Sequence, residues 1–432
     1  MNQLDNLGSS NMQSKSDERL KNVEDEFTEG TKDSAVSSDA EHSHQVLRGK
    51  LNGSEKIWIE KSMDNPLEAK IEILAQEFFR LLIPEQPETR LLCDSHGGYY
   101  ILSEEISGYK GFQSGSAAKF NDRTYKGLGQ VLVGSMYLQE IDLKNGNIGV
   151  NTDGIVKKID GDCCFASITF APRCYAITPD AISSLPYPKD FHVFNWLDII
   201  TGGMKAVGGK IVDHTLTNAP HFRDEVNQAM LKICLLPDSF IELLVATIFN
   251  NDNEAKILIE LMKSRRNELQ ISALKNTSFQ TYLNTDPSKD DAINIIAQMN
   301  SFVINGCIDV VSSDKKTAIA MAALDRLTII TPKDLQYIDQ VAAYLLEEFD
   351  KKDPESFQDL AAYVISSEKI GAKCYETLCS LQDKLSTSNT FAFCDIVDDN
   401  IELNPRDCKT TEYKQKLQTI THKDDSNLIQ KP

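Results

Sequence analysis

A chain of 432 residues with 41% hydrophobic and 25% charged side chains has apolar material for roughly two or three compact domains. Its formal charge of −19 argues against nonspecific duplex binding, which draws on many Lys– and Arg–phosphate contacts. No stretch nears the ~20 apolar residues of a membrane-spanning helix, the opening residues lack the basic and then apolar pattern of a secretory signal, and ten scattered cysteines without a CxxC pair read as reduced thiols.

Residues 1–45 are rich in Ser, Asn, Asp, Glu and Lys, too polar to offset the entropy of ordering, and are read as disordered, with His42 and His44 as solvated bystanders. Order is expected from Gln45. Asn52-Gly53 predicts a hairpin turn before a strand over Lys56–Met63, where Ile57, Ile59 and Lys61 share one face and Trp58 and Glu60 the other. Asp64 or Asn65 then caps a helix with Pro66 at its first position, running to about Ile83 on an apolar stripe of Leu67, Ile71, Leu74, Phe78 and Leu81. Strands follow over Thr89–Cys93 and Tyr99–Ile106, joined by a turn at Ser95–Gly98. After a Gly/Ser-rich connection at 107–118, a long helix is expected from about Asp122 to Glu140, and then two short strands around an Asn/Asp/Gly turn. From about 185 the pattern turns helical. Ser239-x-x-Glu242 resembles a capping box, Thr331-Pro332 and Asp353-Pro354 resemble helix starts, and the last residues are polar.

The informative segment is Asp142-Leu-Lys-Asn-Gly-Asn147, followed thirteen positions later by Asp160-Gly161. Phosphoryl transfer needs one carboxylate to orient an acceptor hydroxyl and take its proton, and oxygen ligands to hold a hard divalent cation against the phosphates. Asp142 suits the first task, Asn147 and Asp160 the second, and Lys144 can steady the transferring phosphate as a point charge. Alternation of Ile155, Lys157 and Ile159 against Val156 and Lys158 predicts a strand that ends at Asp160, which a hairpin brings beside Asn147. Read alone, an Asn/Gly/Asp run is also what a solvated turn uses.

The D-L-K-x-x-N run followed by D-G resembles the catalytic loop and metal-binding aspartate of the protein-kinase superfamily. The D-x-x-x-x-N arrangement is similar to that of phosphatidylinositol-kinase-like and HipA-type atypical kinases too, and the texture of EFFRLLIPEQPETRLL and YYILSEEI resembles secreted bacterial effector kinases. The resemblance covers about 46–215 and implies an α+β, bilobal protein-kinase-like fold: a small mixed N-lobe over 46–106, a catalytic segment over 122–165, a helical C-lobe and extension over 216–395, and a polar tail over 396–432. It implies ATP with Mg²⁺ or Mn²⁺ as cofactors. Lys61 falls where the ATP-phosphate lysine belongs, Glu72 (preferred over Glu68 and Glu77) where its ion-pair partner belongs, and Glu104, Glu105 and Ile106 where a hinge meets adenine through backbone groups. The acceptor is left open between a protein and an inositol-lipid hydroxyl, in the cytosol or in a host cell reached by secretion.

Three departures from the pattern stand out. No G-x-G-x-x-G loop precedes Lys61, H-R-D reads Glu140-Ile141-Asp142, and D-F-G reads Asp160-Gly161-Asp162. They leave room for a nucleotide-binding pseudokinase, for an enzyme transferring AMP, or for a helical interaction protein. Arg265-Arg266 is a further candidate, either for an inositol phosphate or lipid headgroup, or for complementing a helix end. His192, His214 and His221 show no metal-ligand spacing.

Overall fold

The computed structural model describes residues 26–29, residues 46–366 apart from 113–115, 145, 171–172, 194, 198–204, 207–208, 211–214, 251, 332–334 and 353, and four positions between 374 and 381. The polar tail and most of residues 1–45 lie outside these, as do His42, His44 and His214. The described chain is mixed α+β, with its main antiparallel sheet near the N-terminus. It divides into two compact units. No helix among the described residues is long and apolar enough to cross a membrane.

The first unit takes in the chain to Cys234, Ile241–Tyr282 and Phe302–Val310. Its main sheet has five strands in the order β1-β2-β3-β5-β4: β1 (Phe27–Glu29), β2 (Val46–Leu51), β3 (Ile57–Met63), β4 (Thr89–Cys93) and β5 (Tyr99–Glu104). The first of these corrects the reading of 1–45 as wholly disordered. Phe27 pairs with Leu51 and packs against Trp58, Leu92 and Leu102, so one aromatic in a polar stretch gains a cluster of its own. Gly53 takes the turn between β2 and β3 at φ 78°, a conformation that glycine adopts without strain.

Helix α1 (Pro66–Leu82) starts as its residues dictate: Asn65 Oδ1 accepts the Leu67 N–H at 2.9 Å, and Pro66 stands where no intrahelical donor is needed. It buries Ile71, Leu74, Phe78 and Leu81 together with Glu72 and Glu77. Glu77 accepts from the Thr89 N–H at 2.8 Å and the Thr89 hydroxyl at 2.6 Å, which ties α1 to β4. After the two-residue strand β6 (Lys110–Gly111) come the short helix α2 (Ser116–Asn121) and then α3 (Leu128–Tyr137).

The long helix expected over 122–140 is therefore only ten residues. Asp122 instead accepts the Thr124 N–H in a local turn, and Gly127 at φ 94° forms the N-cap. The two ends of α3 are finished by other helices. At the N-terminal end, Glu225 from helix Pro220–Cys234 accepts the N–H groups of Gly127 and Gly129 at 2.7 and 2.9 Å. At the C-terminal end, Arg265 from helix Asn253–Ala273 donates to the carbonyls of Met136 and Tyr137. An anion at the start and a cation at the end both complement the helix dipole. On its side, α3 stacks Tyr137 on Phe78 of α1 at 4.9 Å, and a Cβ on Gly134 would lie 2.8 Å from the Phe79 ring.

Beyond α3 run β7 (Asp142–Leu143), β8 (Ile148–Val150) and β9 (Val156–Lys158), with β6, β8 and β9 forming a small antiparallel sheet. Gln86 completes β9 by donating to the Val156 carbonyl and accepting the Lys158 N–H. A parallel pairing with β10 (Asn195–Trp196) fixes β7. The hairpin Val303–Asp309 also belongs to this unit: Asn305 Oδ1 accepts the Leu91 N–H of β4 at 2.9 Å, and Arg80 of α1 donates to the Val303 carbonyl.

The second unit is helical, with Asp286–Asn300, Lys316–Ile330, Leu335–Lys352 and Pro354–Ser366. Tyr337 is buried there and donates to the Ser288 carbonyl at 2.6 Å. Helix Asp238–Phe249 already includes Asp238, so Ser239-x-x-Glu242 lies inside its first turn and not at a cap.

Candidate active site

Lys61 reaches inward from β3, and its ammonium lies 2.8 Å from a Glu72 oxygen and 2.8 Å from Asp160 Oδ1, with Asp162 at 3.6 Å. Of the three glutamates on α1, Glu72 carries this ion pair. Glu68 instead accepts from the Asn65 amide, while Glu77 is committed to Thr89 and Arg80. Burial disfavours the Lys61 ammonium, but Glu72, Asp160 and Asp162 outweigh it and hold its pKa above the ordinary lysine value. Burial dominates at Glu72 and pushes its carboxyl up, against the pull of Lys61. Asp160 is held below the usual carboxylate range: burial opposes ionisation there, and Lys61, Lys158 and Lys144 overcome it.

The loop after β7 presents the second half of the site. Asn147 donates its side-chain amide to the Asp142 carbonyl at 2.9 Å and to Asp142 Oδ2 at 3.2 Å. Lys144 lies 3.0 Å from the same Asp142 oxygen, half exposed. The Asn147 carbonyl accepts the Ile159 N–H at 2.9 Å, one residue short of Asp160. The hairpin of β8 and β9 thus brings the Asp142–Asn147 loop beside the Asp160 turn. Lys144 feels both carboxylates, which together raise its pKa against the cost of burial.

Asp160 takes φ 62°, a left-handed conformation costly for a residue with a Cβ. Surrounding bonds hold it there. With the Gln76 side-chain amide oriented to match donors with acceptors, Gln76 of α1 accepts the N–H groups of Asp160 and Gly161 and donates to the Lys158 carbonyl. A Cβ on Gly161 would meet Ala75 at 3.0 Å, so the turn lies flat against α1.

Glu72, Asp160 and Asp162 are the one set of three ligating side chains, among the described residues, whose oxygens lie within 4.8 Å of one another. All three surround the Lys61 ammonium; with Glu72 kept on Lys61, Asp160 and Asp162 remain as the oxygen donors that a hard divalent cation such as Mg²⁺ or Mn²⁺ takes. The sequence motif points to Asp160 but misses Asp162, which occupies the third place of the altered D-G-D triplet; a second carboxylate two residues on was the available signal. Glu140 and Lys158 were missed as well. Both are fully buried and form an ion pair of 2.9 Å directly behind the site.

The hinge expectation is corrected in part. The Glu104 N–H donates to the Glu88 carbonyl and the Glu105 N–H to the Ile57 carbonyl, each at 2.9 Å, so neither donor is available to a base. β5 ends at Glu104, and the Ile106 carbonyl accepts from Tyr109. Glu104 and Glu105 side chains pair with Lys56 and Arg48 on the surface.

The anion-site reading of Arg265-Arg266 is overturned. Arg265 is 4% exposed and spends its donors on the carbonyls of Tyr137, Met136 and Tyr175; Arg266 is 2% exposed and reaches Asn267. The dipole reading survives in altered form, because the helix end that Arg265 complements is that of α3, not its own. Cys163 and Cys164 are free thiols, raised by burial first and by neighbouring acids second.

No protein-family model matches the chain. None of the curated proteins matches it. Among solved structures, the crystal structure of a Helicobacter pylori proinflammatory kinase CtkA is similar over 62% of this chain and 99% of that one, with a TM-score of 0.38 and 12% identity.

Proposed function

We propose that the chain is an atypical kinase that transfers the γ-phosphate of ATP to a hydroxyl acceptor. One observation carries this reading: Lys61 of a strand, Glu72 of the following helix and Asp160 of the D-G turn meet within hydrogen-bond distance, although 99 residues separate Lys61 from Asp160. A solvated turn has no reason to face a partly buried lysine already paired with a helix glutamate.

In this reading Lys61 is held by Glu72 and presents its ammonium to the α- and β-phosphates. Asp142 takes the proton of the acceptor hydroxyl, with its carboxylate oriented by the Asn147 amide and flanked by the Lys144 ammonium. Charge developing on the transferred group then meets Lys144, which needs little reorganisation. Asp160, with Asn147 or Asp162, would hold Mg²⁺ or Mn²⁺, which when bound neutralises phosphate charge. Adenine would be met at the Ile106 end of β5. A protein or an inositol-lipid hydroxyl both suit a general base of this kind.

The test is transfer of γ-labelled phosphate with Mg²⁺ or Mn²⁺ to casein and to phosphatidylinositol vesicles. We expect Asp142→Ala to lower it on the order of 100-fold or more. ATP with the metal is expected to raise the unfolding midpoint, as any ligand selective for the native state does. Transfer undiminished in Asp142→Ala refutes the role of that residue. A product heavier by a nucleotide, read by intact mass, would replace the reading with AMP transfer.

A further inference from the structure

We propose that the buried Glu140–Lys158 ion pair is a positioning device that locks the general-base loop to the metal-aspartate turn, in place of the His, Arg and Phe missing from the kinase motifs. The inference rests on the kinase reading and concerns how its two halves are held together.

The pair has the wrong energetics for a device of stability alone. Both side chains are fully buried, and two charges taken out of water recover little more than their desolvation cost. An apolar pair of similar size would serve the core as well. What an apolar pair cannot supply is the set of hydrogen bonds these two groups direct at the backbone. Glu140 Oε1 accepts the Asp142 N–H at 2.8 Å. Its other oxygen takes the Lys158 ammonium at 2.9 Å and the Cys164 thiol at 3.4 Å. Lys158 in turn donates to the Ile159 carbonyl at 2.8 Å and to the Asp160 carbonyl.

One continuous chain of bonds therefore runs from the backbone of Asp142, through two buried charges, to the backbone of Asp160. Its first member is anchored, since the Glu140 N–H donates to the Ser135 carbonyl in the last turn of α3 at 2.8 Å. Its last member holds the carbonyl side of the residue at φ 62°, while Gln76 holds the N–H side. The left-handed turn that aims the Asp160 carboxylate at Lys61 is thus fixed from both sides. The departures E-I-D and D-G-D remove one brace, and the buried pair installs another through different atoms.

Neither residue touches the reacting groups, so the test must separate position from folding. The experiment compares the full chain with Glu140→Gln, Lys158→Met and the double Glu140→Gln/Lys158→Met, using ATP with Mg²⁺ or Mn²⁺ and casein, phosphatidylinositol vesicles or water as acceptor. Each single change strands a buried charge or its partner, and both are expected to lower the unfolding midpoint. The double variant removes both charges and is expected to recover much of that midpoint. Its kcat is nevertheless expected to stay on the order of 100-fold down with KM for ATP within about threefold, the signature of misplaced and not missing groups.

A double variant with a wild-type kcat overturns the inference and leaves the kinase reading standing. A wild-type chain with neither transfer nor an ATP-dependent rise in midpoint overturns that reading and this inference with it. Should the double variant fail to fold, Glu140→Gln carries the test, because it keeps the shape and the acceptor for the Asp142 N–H. A fall in kcat of about tenfold at unchanged KM is then expected, and an unchanged kcat overturns the proposal.

Discussion

Replacing Arg265 with Met tests whether α3, the helix that leads into the Asp142–Asn147 loop, is held from outside. The Arg265 guanidinium is buried, its pKa lowered by that burial to about 10, and so still charged at neutral pH. It bonds the carbonyls of Tyr137 at 2.7 Å, Met136 at 2.5 Å and Tyr175 at 2.8 Å. Each carbonyl left without a donor in a dry site costs about 1–3 kcal/mol. With water reaching some of them and the methionine filling part of the volume, the sum falls at about 3–5 kcal/mol, the usual figure for breaking a buried charged network. At about 2–4 °C per kcal/mol, the midpoint drops by roughly 10 °C. The chain's two tryptophans, Trp58 and Trp196, both lie buried in the first unit, so tryptophan emission, excited selectively over tyrosine, follows that unit. Arg265→Lys, which keeps the charge but fewer donors, should fall between. A shift below about 2 °C for the methionine variant would show that the carbonyls find other partners and refute the argument.

Glu225→Ala leaves the Gly127 and Gly129 N–H groups without their acceptor and should cost about 1–2 kcal/mol in the same fluorescence assay. The pH profile carries a sign. Glu72, whose carboxyl burial pushes up to about 7, holds a proton in the folded state that the unfolded chain releases near 4.5, so its contribution to stability declines as pH rises between those values. The ionised form is the one that pairs with Lys61, so kcat/KM should rise through about 7, and Glu72→Gln should remove that limb. Asp160 acts in the opposite sense. Its lowered pKa stabilises the fold above the ordinary value of 3.8, and that contribution disappears as pH falls through the lower folded value, which Asp160→Asn should abolish in acid unfolding.

Local chemistry was legible wherever neighbours in sequence decide the outcome. The Asn65-Pro66 start of α1, the Gly53 turn and the alternation around Lys158 all act within a few residues, and the helix and strands follow from them. The α3 boundaries were not legible, because the groups that terminate the helix, Glu225 and Arg265, come from about 100 and 130 residues away. The same limit hid Glu140 and Lys158. As letters they are a missing histidine and one more strand lysine, and only the fold buries each against the other. Arg265-Arg266 failed in the reverse direction, since a basic pair in a sequence carries no mark of whether it faces water or a row of carbonyls. Phe27 was lost to composition, a single apolar residue outvoted by its surroundings.

The hairpin over Val303–Asp309 has a consequence for how copies of this molecule meet. A five-stranded open sheet ends in two unpaired rims, and an unpaired rim is where a second molecule can add a strand. At β4 the outward amide of Leu91 is already taken by Asn305, so that rim is plugged by the chain itself. The other rim is β1, only three residues long. Shortening the 303–309 ribbon would therefore uncover a ready template for intermolecular pairing, and concentration-dependent self-association would be its first visible symptom.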